Sequence, residues 1–133
     1  MNAASFKDLE CWQAARELRK FVALSVVRRL AGDERYRIGD QMLRAARSIT
    51  ANVAEGYGRY HYLDNSKFCS NARGSCYEVL DHLITANDEG LIADDVLALG
   101  RTKVTVALRL INGYMAYLRR ATHEAQGARK RSP

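Results

Sequence analysis

Between Asn52 and Leu63 the chain reads Asn-Val-Ala-Glu-Gly-Tyr-Gly-Arg-Tyr-His-Tyr-Leu. Tyr57, Tyr60 and Tyr62 alternate there with Arg59 and His61. Tyrosine faces stack on nucleic-acid bases, and arginine pairs with phosphate or stacks as well. The same residues also suit a plainer role, in which the tyrosines close the end of a helical bundle. Glu55 and Arg59, four apart, would then pair along one helix. Both readings stand on the residues alone. Other chemistry has less to draw on. His61, His82 and His123 lack ligand spacing, and a di-iron bundle needs Glu-x-x-His on two helices. Glu78 precedes His82 by four residues, and no second such pair exists. Gly56 and Gly58 follow a helical pattern and do not lie between a strand and a helix, so no phosphate-cradling glycine loop is present. Cys11, Cys69 and Cys76 fall on apolar stripes, whereas a catalytic thiol needs a nearby base and some exposure. We therefore expect no catalytic residue, metal or cofactor, and a protein that is not an enzyme.

Four helical segments must position these residues. In the first, about Asp8 to Leu30, Cys11, Ala14, Ala15, Leu18, Val22, Ser25 and Val26 share one side at about 100° per residue. Gly32 is suited to the left-handed position that ends such a helix. The second segment runs from about Glu34 to Tyr57, with Ile38, Met42, Ala45, Ala46, Ile49 and Val53 on its core side. Gly56 and Gly58 are expected to end it, and Thr50, Ala51 and Ala54 to admit a close neighbour. Opposite lies a polar ridge of Arg37, Gln41, Arg44, Ser48, Asn52, Glu55 and Arg59, spaced by threes and fours. Gln41, Arg44, Asn52 and Glu55 are expected to form a polar network between helices or between protomers. The third segment, about Leu63 to Asp88, presents Phe68, Cys69, Ala72, Cys76, Val79, Leu83 and Ala86, with Asp64 as candidate N-cap and Gly90 beyond its end. The fourth begins with Asp94 or Asp95 as cap and ends near Thr122. Its core stripe is Leu97, Val104, Leu108, Ile111, Met115 and Leu118.

This pattern predicts an all-α protein, an antiparallel up-down-up-down four-helix bundle over residues 1–122 with a flexible basic tail at 123–133. The fourth helix has an apolar surplus. Leu99, Val106, Leu110 and Tyr117 make a second stripe, and a surface helix of a monomer needs only one. These four residues are the expected oligomer interface.

The 133 residues suit one domain, and 47% hydrophobic with 27% charged residues is the balance of an ordinary globule. The only proline is Pro133, so nothing interrupts long helices. The apolar runs are too short to span a bilayer. The chain opens without the pattern of a secretory signal. Cys69 and Cys76 lie about 10 Å apart along a helix, too far for a disulfide. Reduced thiols and a cytoplasmic protein are expected. The net charge of +6 is unevenly spread. Residues 1–59 carry 11 basic and 7 acidic groups, residues 60–95 carry 2 and 7, and residues 96–133 carry 8 and 1. Such a chain attracts polyanions and can complement its own copies. The candidate nucleic-acid contacts are Arg28, Arg29, Arg35 and Arg37 at the first turn, Arg59, and Arg119, Arg120, Arg129, Lys130 and Arg131 at the far end.

Several strings resemble one family. Phe6-Lys7-Asp8-Leu9-Glu10-Cys11-Trp12-Gln13-Ala14-Ala15 resembles the opening of the four-helix-bundle proteins encoded in intervening sequences of bacterial 23S ribosomal RNA genes. Gln41 with Arg44-Ala45-Ala46-Arg47-Ser48-Ile49 resembles their second-helix motif. Asn52-Val53-Ala54-Glu55-Gly56-Tyr57-Gly58-Arg59 is similar to their most recognisable string, and Ala72-Arg73-Gly74-Ser75 with Glu78 to their third-helix motif. The resemblance covers about residues 5–120. It departs at Ala31-Gly32-Asp33, where the family commonly has a Phe-Pro type of turn. The resemblance implies a ring of bundles, with five copies. The family includes proteins similar to the accessory factor of diversity-generating retroelements, which binds nucleic acid and a reverse transcriptase. The ribosomal name records genomic location more than activity.

Together these expectations describe a non-enzymatic homopentamer that binds RNA or DNA with low sequence specificity through basic surfaces. The alternative is an oligomeric scaffold that presents surfaces to a protein partner such as a reverse transcriptase.

Overall fold

The structure, a computed structural model, describes residues 4–131 and the side chains of residues 4–129. Among the described residues there are four α-helices and no strand: α1 (Glu10–Phe21), α2 (Ile38–Tyr57), α3 (Tyr62–Asp88) and α4 (Asp94–Arg131). Each helix packs against two neighbours, in the ring order α1–α2–α3–α4. The contacts run in opposite directions along every adjacent pair. Between α2 and α3, Gly56 meets Asn65 while Ser48 meets Ser75. Between α3 and α4, Asn65 meets Tyr114 while Leu83 meets Gly100. The bundle is therefore antiparallel throughout.

Most of the core forms where the apolar spacing places it, although Phe68, Leu97, Leu108 and Met115 of the expected stripes are only half-buried. Ala15, Leu18, Met42, Ile49, Cys69, Ala72, Cys76, Val79, Leu83, Val104, Ile111 and Leu118 are buried. Leu9, Trp12, Phe21 and Tyr114 join them from outside the expected stripes. The first helix also departs from regularity. It opens with a 3₁₀ turn, Phe6–Asp8, whose cap Ser5 and Asp8 bond each other's backbone reciprocally. After Phe21 it widens into a π turn, Val22–Val26, and tightens into a 3₁₀ turn, Val27–Arg29. The extra residue in the π turn rotates the succeeding residues back by about 100° relative to a straight helix. That rotation puts Val27 and Leu30 on the core side, where both are buried.

Three local expectations are corrected. Gly56 does not end α2; it is buried inside the last turn, and Gly58 is the cap. A Cβ at Gly56 would lie 2.7 Å from Asn65 Oδ1, 2.9 Å from Phe68 Cβ and 3.0 Å from the Asn65 carbonyl. Asp64 is not the cap of α3; it sits in the first turn behind His61. The fourth helix does not stop near Thr122, and residues 123–131 continue it as helix rather than as an irregular tail. Asp94 and Asp95 are its first-turn residues. Gly32 and Gly90 adopt positive φ, 59° and 75°, at the two turns on the same end of the bundle.

Gly56→Ala should destabilise the protein. Overpacking costs about 1–3 kcal/mol and the helical gain over glycine offsets only about 1 kcal/mol. Gly74→Ala should stabilise it by up to about 1 kcal/mol, because no atom lies within 4 Å of the added carbon. Thermal melts of the two variants should shift in opposite directions; a shared direction would show that the α2–α3 contact is not limiting.

Candidate functional site

The absence of a side chain at Gly56 lets the start of α3 close against the end of α2. The register buries Asn65, which donates from Nδ2 to the Tyr114 hydroxyl at 2.9 Å. Asn65 Oδ1 accepts from Cys69 Sγ at 3.5 Å. Tyr114 and Tyr117, one turn apart on α4, stack at 6.1 Å between centroids with an 18° interplanar angle. Leu9 and Leu118 complete the apolar part of a cleft of about 210 Å³, which Tyr57, Tyr62 and Arg59 also line. Burial pushes the Tyr114 hydroxyl up to about 12, so it stays a protonated donor at neutral pH. A second cleft of about 150 Å³ shares Tyr62 and is lined by His61, Arg129 and the overhanging part of α4.

Arg59 lies over the Phe68 ring at 4.6 Å and reaches Glu55 Oε1 at 3.5 Å. The pairing expected along the helix and a cation at the cleft therefore coexist. Tyr60 stands apart from Tyr57 and Tyr62: it is 93% exposed and lines neither cleft.

The predicted basic residues divide between the two ends. Arg28, Arg29, Arg35 and Arg37 are exposed around the first turn, where Arg35 Nη2 donates to the Arg28 carbonyl at 2.9 Å. Arg59, Arg119, Arg120 and Arg129 are exposed at the tyrosine end. Lys130 and Arg131 continue α4, but their side chains lie outside the described ones. Two cations were missed from the sequence. Arg101 and Arg109 are exposed on α4. Arg101 and Arg119 are eighteen residues apart, which is five helical turns, and Arg109 and Arg120 make a second row beside them. Helical spacing was the signal that could have found them. Among the described residues none of the four makes an ion pair. No acidic residue falls between Asp95 and Glu124. The outer face of α4 therefore carries positive charge outside any ion pair over about 28 Å, with Glu10 of α1 sharing one cleft with Arg109.

The polar ridge of α2 separates into parts. Ser48 Oγ bonds Ser75 Oγ at 2.8 Å, and Asn52 Nδ2 donates to the Ser48 carbonyl at 2.8 Å and its Oγ at 3.0 Å. This group ties α2 to α3. Arg44 instead pairs with Asp40 at 3.1 Å, Glu55 with Arg59, and Gln41 is exposed. Within the protomer these side chains do not form one network. Thr50, expected to face a close neighbour, accepts from Arg19 Nη1 of α1 at 2.8 Å.

The surplus stripe also divides. Leu99 is 50% exposed, Val106 is half-buried, Leu110 is half-buried beside Glu10 and Cys11 of α1, and Tyr117 belongs to the aromatic cleft. In the π turn after α1, Leu24 is exposed as well.

The thiols are placed for packing. Burial raises Cys11 to about 11, and Cys69 and Cys76 to about 12. Among the described residues no group of three His, Cys, Asp or Glu could hold a metal ion. No described helix is long and apolar enough to cross a membrane.

A four-helix bundle with an aromatic end and a basic outer helix is the class these features define. The chain belongs to the 23S rRNA-intervening sequence protein family, whose sequence model matches residues 7–113. The match ends one residue before Tyr114, so part of the aromatic cleft lies beyond it. No curated protein matched the chain.

The raised thiols give a signed pH prediction. Their folded values exceed the ordinary value of 9.0, so the stability they contribute is complete below about pH 9 and falls as pH rises towards 11–12. At pH 8 the native thiols should alkylate at least about a hundredfold more slowly than in denaturant, where thiolate is that much more abundant. Equal rates with iodoacetamide in the two conditions would contradict this.

Proposed function

We propose that the protein is a non-enzymatic, homo-oligomeric helical bundle that binds RNA or DNA with low sequence specificity. The observation that carries this reading is the exposed arginine face of α4, outside any ion pair among the described residues, running from Arg101 through Arg109 to Arg119 and Arg120. It leads to the tyrosine end, where Arg59 and Arg129 add charge. Fixed positive charge of this kind binds phosphates without reading bases, and among the described residues no recognition helix or base-reading module accompanies it. The buried thiols fit a reducing cytoplasm and leave no activated nucleophile.

Self-association rests on the exposed or half-buried apolar residues Leu24, after α1, and Leu99, Val106 and Leu110 on α4. The number five comes from the family resemblance. A ring would repeat each arginine face around its circumference. The same residues support the second reading, an oligomeric scaffold for a protein partner such as a reverse transcriptase, in which the charge steers the partner.

If six phosphates are neutralised, log K should fall against log salt with a slope of about −5. Replacing Arg101 and Arg109 by Gln should weaken binding about equally across sequences and make the slope shallower by about 2. Filter binding or anisotropy over a salt series measures both. Absence of binding in dilute salt would favour the scaffold.

In sedimentation, the wild type should exceed the mass of one protomer at micromolar concentration. Leu110→Asp should lower the assembly state by burying an unpaired carboxylate at the contact. A monomeric wild type would remove the oligomer from the proposal.

A further inference from the structure

We propose that the cleft between Tyr57, Tyr62, Tyr114 and Tyr117 takes one unstacked base of a single strand, whose phosphates run over Arg59 and Arg129. This inference rests on the nucleic-acid reading above and names its site.

Size limits the occupant first. About 210 Å³ is below the roughly 300–1,000 Å³ of drug-sized ligand sites, so the cleft suits a single flat ring system. The walls are chosen for such a ring. Four tyrosines supply aromatic surface and Leu9 and Leu118 supply apolar surface. Base–aromatic stacking tolerates any base, because every base has a π face.

The polar groups add orientation. Asn65 and Tyr114 are both more than nine-tenths buried and are already bonded to one another at 2.9 Å. The Tyr114 oxygen accepts in that bond, so its own proton remains for an acceptor such as a base carbonyl or ring nitrogen. A pair fixed in advance loses little freedom when a ligand arrives.

Charge identifies what is attached to the ring. Neither this cleft nor its neighbour across Tyr62 is lined by an acidic residue. Arg59 lines the first and Arg129 the second. Arg119 and Arg120 directly follow Leu118 on α4. The nearby Glu55 holds Arg59 only at 3.5 Å and in solvent, a pairing weak enough to yield to phosphate. A nucleotide is a flat uncharged ring carrying an anion, and the further arginines on α4 favour a strand of many phosphates over a single phosphorylated side chain. A base paired within a duplex is stacked on both faces and cannot enter a concavity, so the site selects single strands.

The test uses the full chain and two fluorescein-labelled strands, a deoxythymidine dodecamer and an abasic deoxyribose-phosphate dodecamer. At equal salt the wild type should bind the base-bearing strand about tenfold or more tightly than the abasic one. Tyr62→Leu and Tyr117→Leu should bring that ratio towards one and leave the abasic affinity and its salt slope unchanged. Equal binding of both strands by the wild type, or a ratio that survives both substitutions, would overturn the proposal. The wild-type comparison needs no variant to fold. If neither strand binds, the charge reading has failed, and thymidine 5′-monophosphate alone decides the cleft. Shifts of the Tyr114 and Tyr117 ring signals in NMR would sustain it, and unmoved signals would overturn it. Tighter binding of phenyl phosphate than of the mononucleotide would reassign the cleft to a phosphorylated protein side chain, and would overturn it too.

Discussion

No side-chain carbon fits between α2 and α3 at Gly56, where Asn65 and Phe68 approach to less than 3 Å of the place a Cβ would take. The rest of the tyrosine end depends on that constraint. Close approach fixes the register of α3, and the register carries Asn65 into the interior, where its amide must find partners. Tyr114 from α4 and Cys69 from the next turn supply them. A hydrogen bond between α3 and α4 is thereby built on a contact between α2 and α3. Three helices converge, and the shallow space they leave is lined by Tyr57 at the end of α2, Tyr62 at the start of α3, and Tyr114 and Tyr117 from within α4.

The opposite end is governed by backbone conformation. Gly32 and Gly90 take the positive φ values that L side chains rarely adopt. Ahead of Gly32 the π turn of the first helix re-aims Val27 and Leu30 inward against Gly39, where a Cβ would meet both within 3.2 Å. The arginines of this end are left on the surface because the apolar residues around them have been drawn in.

Electrostatics depend on the same packing. Five of the fifteen acidic residues lie on α3 and the turn after it, whereas α4 carries none between Asp95 and Glu124. In a bundle, α4 meets α1 and α3 on two sides and leaves a third side to solvent. Cations on that side face no carboxylate of their own helix. Their charge is therefore available to a polyanion rather than taken up in internal pairs, and it continues along the part of α4 that passes the start of α3.

Much of this fold was legible in the sequence, since apolar spacing at 3.6 residues identifies the buried face of a helix wherever the helix is regular. Cys69, Ala72, Cys76, Val79, Leu83 and Ala86 are all buried as that spacing requires. Val27 and Leu30 were not foreseen, because a π turn changes the angle per residue and nothing in local composition announces it. Gly56 illustrates a different limit. A glycine near a helix end reads as a terminator, and only the neighbouring backbone shows that it is a point of contact. The ridge on α2 had the right spacing for one network, but which side chains bond depends on what α3 offers opposite, Ser75 for Ser48 and the Phe68 ring for Arg59. The tyrosine-rich segment indicated an aromatic end by itself. That Tyr114, Tyr117 and Asn65 complete a cleft there while Tyr60 stands outside was decided by tertiary structure. Residues distant in the chain, such as Asn65 and Tyr114, become neighbours only through antiparallel packing, a long-range register that no local pattern encodes.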